Sequence, residues 1–178
     1  MIETQRLILR QWKESDVEPF ITMGLDQHVM QFFPNLLTPQ ESHNLIQKIS
    51  SLIDKNGWGF WAVELKETHQ FIGFIGLHSQ PEQFDFSPCV EIGWRLAKEF
   101  WKQGYATEGA KAALDYGFNV LNLDKIVSFT ANINTPSQAV MERLGMHKVK
   151  NFDHPKVPLH HQLKAHVLYE ITSSSFNL

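Results

Sequence analysis

The sequence predicts a single α/β domain with a mixed, largely antiparallel sheet flanked by helices. The chain has 178 residues, 43% of them hydrophobic and 20% charged, which suits one globular domain with a sizeable core. Runs of alternating polarity predict strands, and between them apolar residues recur every three or four positions, which predicts helices. The predicted order is a strand, helices, three strands, a helix, a strand, a helix and two strands. No repeat, linker or low-complexity stretch divides the chain, so residues 1–178 are assigned to one domain.

The first predicted elements are a strand and a short helix. Residues 2–11 alternate between apolar and polar side chains, which is typical of a half-buried strand. A short helix is predicted to run through Met23, with Ser15 or Asp16 as its N-terminal cap. Residues 26–33 favour no single structure, and one further helical turn ended by proline is one interpretation.

A longer helix is predicted to start at Thr38. Thr38 and Glu41 have capping-box spacing, and Pro39 takes the first helical position, where proline is favoured. The helix is expected to stop near residues 56–57, where glycine follows asparagine. One apolar stripe is predicted to face the core, formed by Leu45, Ile46, Ile49, Leu52 and Ile53.

Two runs rich in aromatic and β-branched residues then predict a hairpin. Residues 58–66 and 71–78 read as strands, and the polar residues between them read as a short turn. Gly73 and Gly76 in the second strand indicate a bulge or a close backbone approach. Residues 79–88 are predicted to form a loop, which either shapes a substrate pocket or is a simple connection.

The next strand leads into a helix across a tight loop. Residues 90–96 alternate as part of a strand that begins at Cys89, and a helix is predicted from Tyr105. The buried face of this helix is predicted to consist of small and apolar side chains, namely Ala106, Ala110, Ala113, Leu114, Gly117 and Phe118.

The last third of the chain is predicted to contain a strand over residues 125–131, a helix and two further strands. Thr135 is predicted to cap the helix, with Pro136 at its first position, Gln138 completing a capping box and Gly145 ending it. The two final strands, expected to pair antiparallel, and a frayed tail are assigned to residues 146–152, 164–171 and 173–175.

The strand–loop–helix passage around Gly104 has the layout of a phosphate-binding site. The first N–H groups of a helix lack partners, and the helix dipole places partial positive charge beside them. A pyrophosphate can approach such a helix start if no bulky side chain intervenes, which Gly104 and Ala106 allow. The pattern is neither the dinucleotide fingerprint nor a P-loop. From the residues alone, an alternative stays open in which Gly104 only shapes a loop and Ala106 only packs.

Residues 90–108 resemble the acetyl-CoA-binding motif of the GNAT family of N-acetyltransferases. That motif reads Gln or Arg, two residues, Gly, one residue, then Gly or Ala. Gly104 and Ala106 match it, whereas Trp101 replaces the first polar residue. Tryptophan at this position is typical of the RimJ/RimL-like branch, which acetylates the N-termini of ribosomal proteins. Further segments similar to that branch, in order across nearly the whole chain, are Thr4–Arg10, Asn134–Ser137, Met141–Met146, Phe152–Pro155 and His166–Tyr169.

The resemblance implies a GNAT-type sheet whose two central strands splay apart. The pantetheine arm of acetyl-CoA, the implied acetyl donor, would lie between those strands as an extra strand would, and no metal is implied. The family holds the pyrophosphate with backbone amides, so a tryptophan at position 101 changes that interaction little. The residues implied to bind the cofactor are Ile92, Trp94, Leu96, Lys102, Gln103, Gly104, Tyr105, Ala106, Thr107 and Asn134.

Glu91 and Ser137 are the candidate catalytic residues. Glu91 lies on a central strand, where a half-buried carboxyl has a raised pKa and can accept a proton from an amine, and the family often places its base there. Ser137 lies in the first turn of a helix, which favours negative charge on a leaving thiolate, and RimL-like proteins are thought to use a serine at this position. Many family members use a tyrosine one turn later, but here that residue is Met141. A backbone N–H near 92–94 is the family's usual donor to the carbonyl oxygen.

Structural roles for both residues stay open at this point. Glu91 is alternatively paired with an arginine or with backbone, and Ser137 is alternatively an ordinary hydroxyl at a helix start. Asn134 is alternatively a turn residue rather than a contact of the pantetheine arm.

The acceptor is expected to be a primary amine, and a protein N-terminus suits a weak base. The pKa of a protein α-amine is about 7.7–8.0 and that of lysine about 10.4, so far more of the α-amine is neutral near pH 7. This agrees with the RimJ/RimL-like resemblance. The alternatives are a small amine, such as a polyamine, an amino acid or an antibiotic, and a non-catalytic module that binds acyl-CoA.

Bulk properties narrow the compartment and the partners. The net charge is −3 and no basic run indicates direct binding of nucleic acid. The single cysteine, Cys89, cannot form an internal disulfide, which fits a reducing compartment, and packing explains it better than a nucleophilic role. The nine histidines lack metal-binding spacing. No signal peptide or membrane span is recognised, so we expect a cytoplasmic protein, either a monomer or a homodimer through an exposed edge strand.

Overall fold

One eight-stranded sheet runs through the molecule in the computed structural model, which describes residues 1–176. The strands, numbered along the chain, are β1 Ile2–Glu3, β2 Leu7–Arg10, β3 Phe60–Leu65, β4 Phe71–Gln80, β5 Cys89–Leu96, β6 Lys125–Ala131, β7 His147–Asp153 and β8 Ala165–Thr172. The helices are α1 Val17–Leu25, α2 Pro39–Asn56, α3 Tyr105–Asn119, α4 Thr135–Arg143 and α5 Ser173–Phe176.

The sheet is mixed but mostly antiparallel, which confirms the predicted fold class. The strand order is β1-β2-β3-β4-β5-β6-β8-β7, and the β5–β6 pair is parallel while the other neighbouring pairs are antiparallel. Within the described chain, β5 and β6 are registered at a single position, where Glu91 lies opposite Val127. Their pairing ends there, so a cleft opens between their carboxyl ends.

The two faces of the sheet carry different helices. A Cβ atom added to Gly109 of α3 would lie 2.5 Å from Ile75 of β4, and one added to Gly117 would lie 2.6 Å from Ile126 of β6. These glycines let α3 approach the face formed by Ile75, Ile92 and Ile126. Helices α1 and α2 cover the opposite face at β3 and β4.

Alternation along the central strands decides which side chains share that second face. His78 lies opposite Glu91 in the β4–β5 ladder, and Phe74 lies opposite Arg95. Successive side chains of a strand point to opposite faces, so Glu91, Gly93 and Arg95 lie on one face together with Phe74 and His78. The ring of Phe60 from β3 packs beside both Phe74 and His78 on this face.

Both glycines of the predicted hairpin behave as expected. Gly73 has φ of 138° beside a register shift at Val63–Glu64, which is the predicted bulge. A Cβ atom on Gly76 would lie 2.0 Å from the carbonyl oxygen of Gly59, which is the predicted close approach. Strand β4 extends to Gln80, two residues into the predicted loop.

The N-terminal predictions are correct in kind but wrong in detail. The single strand predicted for residues 2–11 is two strands, separated by a turn in which Thr4 Oγ1 accepts from the N–H of Leu7 at 2.9 Å. Neither Ser15 nor Asp16 caps α1 through its side chain; Asp16 instead accepts from the backbone N–H of Lys13. Residues 26–33 form turns, and one of them has the i to i+4 bond of a single helical turn, because the N–H of Met30 donates to the carbonyl oxygen of Asp26 at 3.0 Å.

Predictions near the C-terminus need two corrections. Asn134, not Thr135, is the N-cap of α4: its Oδ1 accepts from the N–H of Ser137 at 3.2 Å, and no capping box forms with Gln138. The tail predicted to fray is a short helix, α5, in which Phe176 packs on Phe118 of α3 with 5.2 Å between the ring centroids. The capping box that begins α2 is confirmed.

Candidate active site

The open edge of β5 is the first component of the site. The carbonyl oxygen of Ile92 accepts from Ser128 Oγ at 3.0 Å, and that of Leu96 accepts from Trp101 Nε1 at 2.8 Å. Backbone groups two residues apart point to the same edge of a strand, so Trp94 presents its N–H and C=O to the cleft between β5 and β6. These three residues are the strand positions that the sequence predicts as cofactor contacts.

The start of α3 is the second component. Gly104 has φ of 83° and leads directly into the helix, and no side chain among residues 1–176 caps this helix start. The N–H groups of the first turn are therefore available to an anion. The two residues before Gly104 have different surroundings. Lys102 is exposed and has φ of 60°, whereas Gln103 donates from Nε2 to the carbonyl oxygen of Glu99 at 2.9 Å.

A clamp from the N-terminal segment fixes the position of this helix start. Glu108 accepts from Thr4 Oγ1 at 2.6 Å, from the N–H of Arg6 at 2.8 Å and from Arg6 Nε at 2.7 Å. Arg6 also donates from Nη1 to the carbonyl oxygen of Gln103 at 2.9 Å, and its guanidinium lies 4.5 Å from the ring centroid of Tyr105. Burial alone would raise the pKa of Glu108, but the hydrogen bonds from Thr4 and Arg6 lower it. The carboxylate therefore stays charged and paired with Arg6.

Together these two components fit a long ligand that carries phosphates at one end and amides along an arm. The small residues Gly104 and Ala106 leave room beside the free N–H groups of α3, and the edge at Trp94 offers strand-type hydrogen bonds. Of the residues predicted to bind a cofactor, Asn134 differs in one respect: its side chain already accepts from Ser137 N–H and donates to Thr130 Oγ1 at 2.9 Å. Its contact with a ligand stays a prediction.

Glu91 lies where the cleft begins to open, on the α1–α2 face of the sheet. It is partly buried, and its hydrogen-bond partner within residues 1–176 is Gln80, which donates from Nε2 at 3.1 Å. Burial raises the pKa of Glu91 to about 7, although the hydrogen bond from Gln80 opposes that shift. No arginine or backbone partner is present in the described chain, so the environment is that of a proton acceptor rather than of an ion pair.

Ser137 lies in the first turn of α4 on the side of that helix that carries Val140 and Met141, both of which are buried. The residue is half-buried, and in the described part of the chain its hydroxyl has no hydrogen-bond partner. The hydroxyl is thus free to donate to a ligand atom that reaches the α4 start.

A cavity of about 230 Å³ lies at the mouth of the cleft on the same face as Glu91. It lies between the turn that precedes α2 and the carboxyl end of β6, and Asn134 at the start of α4 also lines it. The cavity wall includes His154 and His166, whose ring centroids are 4.8 Å apart. Burial, together with the neighbouring positive charges, lowers the pKa of His154 to about 4, so the ring is neutral at physiological pH.

The larger cavity, of about 420 Å³, is not part of this site. It lies between α1 and the segment that follows β5, and it is lined by a buried ion cluster in which Arg10 bonds both Asp16, at 2.7 Å, and Glu64, at 2.6 Å. Among residues 1–176, no group of three or more His, Cys, Asp or Glu side chains is arranged to hold a metal ion.

Sequence reasoning missed Arg95, Gln80 and Phe33 as parts of the site. The guanidinium of Arg95 lies 4.3 Å from the ring centroid of Phe33 and 5.3 Å from that of Phe74. The two-residue period of β5 was a signal for Arg95, because it places this residue on the face of Glu91. Nothing in the sequence pattern indicates that Phe33 reaches the same place from the turn after α1.

Comparison with known proteins shows the family. Residues 6–147 match the family model described as "Acetyltransferase (GNAT) domain". The chain is 27% identical over 150 residues to an uncharacterized N-acetyltransferase of Bacillus subtilis, YoaA, covering 83% of each protein. It is 42% identical over 161 residues to the FsC-acetyl coenzyme A-N(2)-transacetylase of Aspergillus fumigatus, covering 85% of the chain and 66% of that protein.

Solved structures agree over the whole fold. A GNAT-family acetyltransferase from Bacillus anthracis superposes with a TM-score of 0.81 at 27% identity, covering 97% of this chain and 98% of that one. Two others share the fold at lower identity. The ribosomal-protein-S5-alanine acetyltransferase of Vibrio fischeri has a TM-score of 0.76 at 20% identity, covering 98% and 97% of the two chains. The spermidine N-acetyltransferase of Vibrio cholerae, solved with CoA and spermine, has a TM-score of 0.75 at 22% identity, covering 97% and 98%.

The fold and the cleft define an acetyl-CoA-dependent acyltransferase, and the chain belongs to the GNAT family of N-acetyltransferases. The predicted family and enzyme class are confirmed, and the alternative of a non-catalytic acyl-CoA module is set aside. The GNAT fold binds acetyl-CoA or CoA. No helix within residues 1–176 is long and apolar enough to cross a membrane.

Proposed function

We propose that the protein transfers the acetyl group of acetyl-CoA directly to the α-amine of a protein N-terminus, in the manner of the RimJ/RimL-like branch. The observation that carries this proposal is Glu91, a partly buried carboxyl with a pKa of about 7 at the opening of the cleft. Such a base is matched to an amine whose own pKa is about 7.7–8.0, and it is poorly matched to lysine at about 10.4.

The proposed division of roles follows the geometry. Glu91 takes the proton from the acceptor nitrogen, directly or through a water. A backbone N–H at 92–94 donates to the carbonyl oxygen as negative charge develops there. Ser137, with its free hydroxyl at the start of α4, donates to the departing sulfur. No covalent intermediate with the enzyme is needed.

In this proposal, backbone groups of α3 and β5 bind the acetyl donor. The pyrophosphate would be held by the N–H groups at the start of α3, next to Gly104 and Ala106, and the pantetheine arm by the open edge at Trp94. Acetyl-CoA supplies the reactive thioester. Holding it beside the amine contributes up to roughly 7–11 kcal/mol to lowering the barrier.

A small amine is the second candidate acceptor. The cavity of about 230 Å³ is of a size that suits a small molecule or one or two residues of a peptide. Two proteins similar to this chain are named for acetylation of FsC and of spermidine. A polyamine would be expected to meet acidic side chains, whereas this cavity is lined by aromatic residues, histidines and Lys156.

Acceptor preference is tested with matched compounds and saturating acetyl-CoA. A peptide with a free N-terminus and no lysine, the same peptide with a blocked N-terminus and one lysine, spermidine, and free amino acids are compared by kcat/KM from released thiol. We expect the free N-terminal peptide to exceed the lysine peptide by at least about 100-fold near pH 7, since the neutral fractions of the two amines differ by that order. Faster acetylation of spermidine or of the lysine peptide would overturn the assignment.

A further inference from the structure

Arg95 has a side chain whose hydrogen-bonding groups are not accounted for by the fold or by the proposed mechanism. It lies two residues after Gly93 on the cleft-lining strand β5, and its side chain lies on the same face as Glu91. Its guanidinium carbon lies over the rings of Phe33 and Phe74, at 4.3 Å and 5.3 Å from their centroids.

The two rings leave the hydrogen-bonding capacity of Arg95 unused. A phenyl ring interacts with the face of a guanidinium, whereas its N–H donors lie in the plane of the group. Nε and Nη1 are both buried without a hydrogen-bond partner, and no carboxylate of residues 1–176 pairs with the side chain. Burial without a counter-charge lowers the pKa of Arg95 to about 10.

This arrangement is costly if it serves the fold alone. Burial of a charge without hydrogen bonds is unfavourable, and an apolar residue of similar volume would pack between Phe33 and Phe74 at lower free energy. Arg10, which is buried, shows how this chain compensates such a charge, because it bonds both Asp16 and Glu64. The missing partner of Arg95 is thus expected to arrive from outside.

The position of Arg95 indicates where that partner comes from. Phe33, which covers the guanidinium, also lines the cavity at the mouth of the cleft and is itself 42% exposed. Arg95 itself does not line this cavity. Its Nη2, unlike Nε and Nη1, is not buried, and the residue keeps partial exposure, so one corner of the guanidinium is open to a ligand that extends past Phe33. Arg95 is four residues from Glu91, on the order of 13 Å along a strand, and its long side chain can shorten that separation.

We propose that Arg95 binds a carboxylate carried by the acceptor, so that the enzyme selects amines that bear a carboxylate close to the nitrogen that is acetylated. Either edge of the guanidinium offers Nη2 together with one unpartnered nitrogen, which is the geometry that pairs with two carboxylate oxygens. The carboxylate belongs either to an acidic side chain near a protein N-terminus or to a free amino acid. The proposal rests on the proposed function for the location of the amine.

Paired acceptors that differ by one charge test the proposal. Peptides with the same free N-terminus and either Glu or Gln at the second position keep the pKa of the amine nearly constant. Free glutamic acid is compared with its amide in the same way. We expect wild type to prefer the carboxylate member of at least one pair by about tenfold or more in KM, as a charge-assisted hydrogen bond implies. Arg95→Met should abolish that preference without changing KM for the amide, and Arg95→Lys should restore part of it. Lys148→Met, on the exposed part of β7, is the matched loss of a positive charge and should keep the preference.

Two further readouts separate this proposal from the proposed function and from a structural role. Thermal unfolding without ligand should give Arg95→Met a Tm equal to or above that of wild type, and a marked fall in Tm with unchanged acceptor preference would show that Arg95 is structural.

Equal acetylation of both members of each pair by wild type would overturn the carboxylate site while the N-acetyltransferase assignment stands. If no peptide is acetylated, calorimetric titration of the Glu and Gln peptides and of both amino acids into the CoA-bound protein decides. Arg95-dependent binding of a carboxylate ligand then supports the site, and its absence overturns the site; the failure to acetylate any peptide is what contradicts the N-terminal acceptor.

Discussion

Glu91 combines partial burial with a position at the opening of the cleft. The pH dependence of the reaction rate is the first test of its role as the base. With a pKa of about 7, the carboxyl becomes charged, and therefore able to accept a proton, as the pH rises through neutrality. We expect kcat/KM for a fixed acceptor to rise through pH 7, and Glu91→Gln to lower it about 100-fold or more while removing that inflection. Glu14→Gln, at an exposed position before α1, should behave as wild type. An unchanged pH profile in Glu91→Gln would assign the proton transfer to another group or to water.

The same substitution is expected to stabilise the fold at alkaline pH. The folded-state pKa of Glu91 is raised from 4.5 to about 7, so the folded protein holds this proton more tightly than the unfolded chain. Stability is therefore highest below the unfolded value, falls as pH rises through the interval, and is lowest above pH 7. Glu91→Gln removes this loss, which amounts to at most about 3 kcal/mol at pH 8. Urea unfolding at pH 5 and pH 8 measures it, and a difference between variant and wild type that does not grow with pH contradicts the burial of this carboxyl.

Ser137→Ala is expected to affect turnover rather than folding. The hydroxyl has no hydrogen-bond partner in the described chain, while α4 is capped by Asn134, so the variant should melt within a few degrees of wild type. Loss of a donor to the departing thiolate should lower kcat about tenfold or more without raising KM for acetyl-CoA. Stopped-time assays at saturating substrate measure this, and Thr135→Ala, an exposed neighbour on the same helix, serves as the control. Retention of full kcat would return Ser137 to the role of an ordinary hydroxyl at a helix start.

At the level of elements, the start of α3 provides a matched pair of glycines. Gly104 and Gly57 both have left-handed backbone, with φ of 83° and 79°, so replacement of either by alanine should cost about 1 kcal/mol of stability. A Cβ atom added to Gly57 would meet no atom within 4 Å, whereas one added to Gly104 would lie 3.4 Å from Arg6 Nη2, at the proposed pyrophosphate site. We expect Gly104→Ala to raise the Kd for CoA at least severalfold in calorimetry and Gly57→Ala to leave it unchanged. Equal affinities in both variants would remove the α3 start from the binding site.

Local signals predicted the elements well, but not the contacts that join distant ones. Capping and periodicity located α2, α3 and the central strands, because these signals act over a few residues. The clamp that Thr4 and Arg6 place on Glu108 spans more than 100 positions, and no local pattern encodes it. The two caps differ from the prediction for separate reasons. Asp16 takes the N-cap position of α1, but its carboxylate pairs with Arg10 instead of capping the helix, whereas Asn134, one residue before Thr135, accepts from the first turn of α4.

The cleft divides the sheet into two parts, so a ligand bound across the cleft is expected to raise the stability of the whole molecule. Strands β1–β5 and strands β6–β8 meet at one registered pair within the described chain, so a ligand that bridges β5, β6 and the start of α3 would join the two parts of the sheet. At 100 times its Kd, a ligand adds about 2.7 kcal/mol, which for a domain of this size raises Tm by about 5–10 °C. We expect this shift with acetyl-CoA and with CoA. ATP and NADH share the adenosine and phosphate groups but lack the pantetheine arm, and they should give little or none. A shift of equal size with ATP would mean that the phosphates alone are recognised and that the open edge at Trp94 does not bind the arm, while no shift with any of the four would contradict the cofactor site as a whole.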